Sequence, residues 1–262
     1  MPPKSKTEGD ESKGSIQVID RMMALLEVLA SSPDPVALKT LAASTKLHPS
    51  TAHRILASMS QGRIVERQGA GSYRLGIRLL ELGNLVKTRI NLREVALPFM
   101  QTLHEHIGEA INLAIRRDDD LVYIERTSSG RSLVRVVYLV GDRAPLHLTS
   151  VGKLFLAEDN AEALRQYAKR TGLPGKTPHS LTTLTALERD LERVRRHQLA
   201  YDNEEAEVGL KCVAAPIRDD EGNLIAGLSV SAPTERHHAD WTAKVATTAN
   251  DISRALGYAT QR

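Results

Sequence analysis

The sequence predicts an α+β protein in two parts, a small helical N-terminal unit that closes on a β-hairpin and a larger unit of interleaved strands and helices with a largely antiparallel sheet. Three observations carry this. A chain of 262 residues holds about two domains' worth of core, with no need of disulfides or metal. Apolar residues recur at steps of three and four through the first ninety positions and then give way to alternating, strand-like runs beyond residue 109. The net charge of +3 is local: residues 1–85 carry 11 Lys and Arg against 8 Asp and Glu, whereas residues 86–262 balance at 24 against 24.

Residues 1–14 mix charged residues with Ser, Gly and Pro and read as a disordered tail. From Ile16 the positions Ile19, Met23, Leu26 and Ala30 mark an amphipathic helix stopped by Ser31-Ser32-Pro33. A second helix spans about Ala37–Thr45, and a third begins at Pro49, which suits a first helical position because its missing N–H would be unpaired there. Along that third helix Ala52, Ile55, Leu56 and Met59 form one apolar face. Ser50, Thr51, His53, Arg54 and Ser58 fall on the other. Ile64–Arg67 and Ser72–Leu75 read as two strands around the turn Gln68-Gly69-Ala70-Gly71. Three helices with a tight second-to-third connection and a basic hairpin describe a winged helix-turn-helix over about residues 15–78, its third helix sized for the roughly 12 Å major groove. Between Lys46 and Arg78 six basic residues face one acid, Glu66, which points to a polyanion partner.

The apolar seam Leu75, Leu79, Leu82, Val86 and Ile90 continues on a linker helix, assigned to 79–95, and is suited to pairing with a second copy. A further helix covers about Leu92–Ile107. Strands are then expected at Ala110–Arg117, Asp120–Thr127, Leu133–Val140, Val213–Arg218 and Leu224–Ser231, with helices near Val151–Ala157, Ala161–Thr171, Thr185–His197 and His238–Leu256. Together these make an α+β domain over 96–258.

Composition excludes several classes. Charged residues make up 26% of the chain and no apolar run approaches the roughly 18 residues of a membrane span. The N-terminus lacks the apolar stretch of a secretory signal, so the cytoplasm is expected. A single cysteine, Cys212, builds neither a disulfide nor a Cys-rich metal site and reads as a small buried hydrophobe. His104 and His106 are two apart, about 200° around a helix, and His237-His238 are no better placed, so no metal is expected. Ser150-Val151-Gly152-Lys153 matches S-x-x-K, but the companion motifs of the serine penicillin-binding enzymes are absent. Gly152-Lys153 lacks the Ser or Thr of a phosphate loop, and Gly227–Ser231 falls one glycine short of a nucleophile elbow. No catalysis and no cofactor are expected. The contrasting reading, a metabolite-binding enzyme with an appended nucleic-acid module, would show itself by turnover of a ligand.

Several blocks in order, Leu47–Leu56, Tyr73-Arg74-Leu75-Gly76, Gly141–His147 with Gly152-Lys153, Asp202–Glu205, Gly209–Pro216 and Leu228–Pro233, resemble the isocitrate-lyase-regulator (IclR) family of bacterial transcription factors. The resemblance covers about Ser15–Tyr258. It implies a DNA-binding regulator, repressor or activator, whose C-terminal domain senses a small metabolite, commonly an organic or aromatic acid. It also implies a homodimer or tetramer on double-stranded operator DNA and leaves direct contact with RNA polymerase open. Ser50, Thr51, His53 and Arg54 would then lie at the groove, with Arg67 and Arg74 on the wing against phosphates.

The family's ligand pocket maps onto Leu133, Val136, Ser150, Val151, Asp202, Leu210, Cys212, Ser229 and Ser231. Chemistry agrees in part. Ser229 and Ser231 are two apart on a strand and face the same way. The helix opening at Thr149-Ser150-Val151 offers free N–H groups and the positive end of its dipole to a carboxylate. Leu133, Val136 and Leu210 supply apolar lining. Asp202 stands against this, since a charged acid accepts a hydrogen bond from a ligand hydroxyl yet repels a carboxylate.

Overall fold

A computed structural model describes residues 11–69, 71–87, 91–128 and 139–259, which fall in two compact units, 1–89 and 90–262. In the first, α1 (Glu11–Ala30), β1 (Val36–Ala37), α2 (Leu38–Ser44) and α3 (Pro49–Gln61) precede a hairpin of β2 (Val65–Gln68) and β3 (Ser72–Leu75), and α4 (Ile77–Lys87) follows. Helix α1 begins inside the stretch whose composition reads as a tail. Once the apolar positions from Ile16 nucleate a helix, each preceding residue adds a hydrogen bond at little cost, and Glu11, Ser12 and Lys13 join it.

β1 escapes detection because two residues show no periodicity, yet it pairs antiparallel with β3 in a sheet of order β1-β3-β2. The core of this unit gathers Leu25 and Leu29 of α1, Leu41 of α2, Ala52, Ile55, Leu56 and Met59 of α3, and Val65 and Tyr73 of the hairpin. All four apolar positions predicted on α3 are buried. Leu75 belongs to β3 rather than to the linker helix. Residues 79–95 divide between α4 and α5 (Leu92–Ile107), the latter capped by the Asn91 side chain. Ile90 lies outside the described residues.

The second unit is built on a six-stranded sheet of order β6-β5-β4-β9-β8-β7, antiparallel at every pairing. Its strands are β4 (Ala110–Arg117), β5 (Asp120–Thr127), β6 (Arg143–Pro145), β7 (Ala200–Asn203), β8 (Leu210–Arg218) and β9 (Leu224–Pro233). The two edge strands were not expected. β6 has three residues and β7 four, too few for an alternation to register. Of the expected strand at 133–140, residues 133–138 lie outside the described residues, and Leu139-Val140 are not strand.

One face of the sheet, with Ile111, Leu113, Val213, Ala215, Leu228 and Val230, packs on α5 and on α9 (Trp241–Ala255). The other, with Ala114, Tyr123 and Ala214, packs on α6 (Ser150–Glu158), α7 (Ala161–Thr171) and α8 (Leu184–His197). No described helix is long and apolar enough to cross a membrane.

Candidate DNA-contact face and effector site

Helix α3 presents Ser50, His53, Arg54 and Ser58 to solvent, with Thr51 half-buried at its flank. The helix entry is fixed by His48, whose Nδ1 accepts from the Ser50 N–H at 3.4 Å and lies 2.8 Å from Ser50 Oγ. Ser50 is thereby part of the cap as well as of the exposed face. In the hairpin Arg67 stands opposite Tyr73 and Arg74 opposite Glu66. Cross-strand partners share a face and neighbours alternate, so the two wing arginines point to opposite sides of the hairpin. Arg74 is held by Glu66 at 2.8 Å, and its guanidinium keeps the Glu66 carboxyl below the usual carboxylate range. Nearby, Arg63 and Arg78 both pair with Glu81 of α4.

In the second unit the register of the strands assembles a polar tract on the face that carries α6. Ser229 of β9 lies opposite Asn112 of β4 on one side and Ala214 of β8 on the other. One step along, Ser231 lies opposite Cys212, and Cys212 opposite Asp202 of β7. Sequence reasoning missed Asn112, although a lone amide between Ile111 and Leu113 in an apolar strand is a visible signal. Asn112 Nδ2 donates to Ser231 Oγ at 3.1 Å, and the Cys212 thiol donates to the same oxygen at 3.1 Å. Ser229, Cys212, Asp202 and Leu210 are buried, and Ser231 is half-buried. Leu210 is two residues from Cys212 on β8 and shares its face.

Helix α6 closes the tract. Thr149 caps it, its Oγ1 accepting the Gly152 N–H at 3.1 Å, so Ser150 and Val151 are the first two helical residues, both buried. Two glycines allow this approach. A Cβ on Gly152 would fall 2.2 Å from the Leu146 carbonyl oxygen, and one on Gly227 2.5 Å from Val151 Cγ1, so the helix start lies directly on its preceding turn and on β9. Leu133 and Val136 lie outside the described residues.

On the same side of the sheet as α6 is a buried charge cluster. Lys153 Nζ sits 2.8 Å from Asp190 Oδ2 of α8 and 2.7 Å from Glu205 Oε1 in the loop after β7. Asp202 Oδ1 accepts the Glu205 N–H at 2.7 Å and the Ala206 N–H at 3.4 Å. Burial, with Glu205 nearby, pushes the Asp202 carboxyl up to about 7, and burial likewise raises Glu205. A carboxyl titrating near neutrality serves as donor or acceptor, which eases the conflict between Asp202 and an acidic ligand. Burial also pushes the Cys212 thiol far up, the reverse of what a nucleophile needs. His147 is similarly occupied: it is buried, its Nδ1 lies 2.8 Å from the Tyr167 hydroxyl, and burial lowers its pKa. His104 and His106 each direct Nδ1 to a backbone carbonyl, of Glu109 and Thr102 respectively.

Residues 18–69 match the IclR helix-turn-helix domain model, and residues 85–257 match that of the bacterial transcriptional regulator IclR C-terminal domain. The chain belongs to the IclR family. An IclR-family relative, the transcriptional repressor IclR of Escherichia coli, is 31% identical over 251 residues, 93% of this chain and 91% of that one. The crystal structure of the Agobacterium tumefaciens repressor BlcR has the same fold, with a TM-score of 0.85 at 24% identity over 94% of this chain and 99% of that one. An IclR homologue from Microbacterium hydrocarbonoxydans, solved in complex with 4-hydroxybenzoate, is similar at a TM-score of 0.59 and 28% identity, covering 91% and 98% of the two chains. Membership in the IclR family makes this chain a transcriptional regulator with a DNA-binding helix-turn-helix and an effector-binding C-terminal domain.

Proposed function

We propose that the chain is a cytoplasmic, operator-binding regulator whose DNA affinity is set by a small organic or aromatic acid held on the α6 face of the C-terminal sheet, and that it is not an enzyme. The observation that carries this reading is the convergence of Ser229, Ser231, Asn112, Cys212 and Asp202 from four strands beneath the start of α6. Neutral donors on rigid strands beside a helix N-terminus suit an oxygen-rich ligand. The thiol and histidine that a hydrolase would use are engaged in packing and hydrogen bonds. Ser150, Val151 and Leu210 would line the ligand, and the relative that binds 4-hydroxybenzoate supports an aromatic acid as one class.

On the DNA side Ser50, Thr51, His53 and Arg54 would read bases from α3, and Arg67 and Arg74 would contact phosphates. The unit on DNA is a homodimer, or a tetramer built from dimers. Helix α4 supports this, since Ile77, Leu80, Leu82 and Leu85 are all at least 40% exposed on an eleven-residue helix. Contact with RNA polymerase belongs to the activating form of the same scheme.

Selection of bound sequences from a random duplex pool, followed by titration of metabolites against the selected site, tests the whole reading. A paired half-site is expected, with at least one acid changing its occupancy and emerging chemically unaltered. Turnover of that acid, or no enrichment of any sequence, would overturn it. In sedimentation the wild type should be dimeric or larger, and Leu82→Glu should shift it toward monomer.

A further inference from the structure

Helices α5 and α9 pack against each other on the sheet face opposite α6, and their outer surfaces bound a groove of about 670 Å³. Pro98, Phe99 and Thr102 of α5 form one wall, and Ala243, Thr247 and Thr248 of α9 form the other; carbon atoms make up most of the lining. The inward sides of both helices are already used by the core, through Ala96 and Met100 of α5 and Val245 and Ala249 of α9. The outward side of α9 is not built for water as that of α8 is. Half of the fourteen residues of α8 are charged, against three of fifteen in α9, namely Lys244, Asp251 and Arg254. A surface helix normally carries charge opposite its buried stripe, so an apolar groove with so few charges beside it marks an interaction surface.

The charges that remain have a twofold pattern. Lys244 and Asp251 both border the groove, seven residues apart and so on one side of α9 about two turns from each other, with Thr247-Thr248 midway between them. A twofold axis beside that midpoint sets a second α9 antiparallel to the first, and each Lys244 then faces the other copy's Asp251. We propose that the α5–α9 groove is an isologous interface, closed by the same groove of a second copy of this chain, with Lys244 and Asp251 pairing reciprocally across the axis. The order of the charges selects this occupant. A lone cation or anion would suit any partner of opposite sign, whereas opposite charges at equal distances from one midpoint are complementary to their own reversed copy. Each has an exposed neighbour on its own helix, Asp240 for Lys244 and Arg254 for Asp251. Such surface pairs contribute little, and an ammonium with three donors or a carboxylate with two oxygens serves a facing partner as well. This contact is separate from the one proposed at α4 and rests on that reading only for the size of the assembly. With both contacts the chain closes as a dimer of dimers.

The test is the mass of the full chain by sedimentation at micromolar concentration, with variants at each contact. Thr247 is exposed, and Thr247→Arg places a like charge on both sides of the axis, so it should halve the wild-type mass. Lys244→Glu and Asp251→Lys should each do the same, since either sets like charges face to face. Lys244→Glu combined with Asp251→Lys restores the complementary order and should recover the wild-type mass. A monomeric wild type, wild-type mass in Thr247→Arg or in both single charge variants, or a combined variant that recovers nothing overturns the assignment. Leu82→Glu scores the α4 contact separately. A tetramer that Leu82→Glu and Thr247→Arg each reduce to a dimer supports both contacts. A dimer split by Thr247→Arg and not by Leu82→Glu keeps the α9 contact and removes the one at α4, and the reverse result keeps α4 and overturns the α9 contact. Unchanged mass in Thr247→Arg, together with binding of the apolar dye anilinonaphthalene sulfonate by wild type and not by that variant, gives the groove to a small apolar ligand and also overturns the assignment. Should Thr247→Arg not fold, recovery of mass by the charge exchange decides alone.

Discussion

Lys153 and Glu205 form a buried ion pair, Nζ to Oε1 2.7 Å, that ties the second turn of α6 to the loop between β7 and β8. The same ammonium reaches Asp190 of α8, so one cation joins three segments, α6, α8 and the loop after β7. Replacing Lys153 by Met leaves buried acid without its counter-ion and should cost about 3–5 kcal/mol in the unfolding of the C-terminal unit. Arg193→Ala removes only an exposed partner of Asp190 and should cost at most about 1 kcal/mol. Urea unfolding of the two variants measures the contrast. A Lys153→Met protein as stable as wild type would show that the cluster adds nothing to the fold.

Asp202 gives stability a pH dependence of defined sign. Burial raises its carboxyl from 3.8 in the unfolded chain to about 7 in the fold, so between those values the folded state holds a proton that the unfolded state has lost. Stability from this group is full below about pH 4, declines as pH rises to about 7 and is then flat. The upper limit is about 4 kcal/mol, from three pKa units at 1.36 kcal/mol each. Melting at pH 5.5 and pH 8 should show the loss, and Asp202→Asn, which keeps the acceptor for the Glu205 N–H, should reduce it. An unchanged slope in the variant would locate the titration elsewhere.

On DNA, Arg54 and Arg74 should behave differently. Arg54→Ala should weaken the selected site by about 1–3 kcal/mol more than random duplex if it reads a base edge. Arg74 is neutralised by Glu66 in the free protein. Glu66→Gln should therefore tighten both duplexes alike and steepen the salt dependence by about one unit. Binding isotherms at several salt concentrations separate the two effects. Equal losses on both duplexes would make Arg54 a phosphate contact, and no change with Glu66→Gln would place Arg74 away from the backbone.

These contrasts show which parts of the molecule were legible in the chain. The α3 face could be read because Ala52, Ile55, Leu56 and Met59 keep helical spacing, and each is buried as that spacing requires. Ser229 and Ser231 could be placed on one face by strand period alone. Their partners could not: Asn112 is 119 residues from Ser231 in sequence, and only the pairing of β4 with β9 brings them together. Lys153 likewise meets Glu205 across 52 residues. The opposed faces of Arg67 and Arg74 were equally hidden, since the register of a hairpin is set by where its turn closes.

The bond from Cys212 to Ser231 makes the proposed effector tract observable by thiol chemistry. The thiol is buried, its ionisation is strongly suppressed by that burial, and it donates to Ser231 Oγ at 3.1 Å, so its reaction with a thiol reagent should be slow. A ligand on the α6 face covers the same oxygen and should slow it further. Ser231→Ala removes the acceptor shared by the thiol and by Asn112 Nδ2, and should cost about 1–3 kcal/mol of stability, because the buried amide loses its partner. Ser229→Ala breaks no side-chain hydrogen bond among the described residues and should leave stability near wild type while weakening the acid by about 1–3 kcal/mol. Neither change alters the exposed face of α3, so basal DNA binding should persist. If Cys212 reacts at one rate with and without bound effector, and the Ser229→Ala protein binds it as wild type does, the effector lies on another surface of the domain.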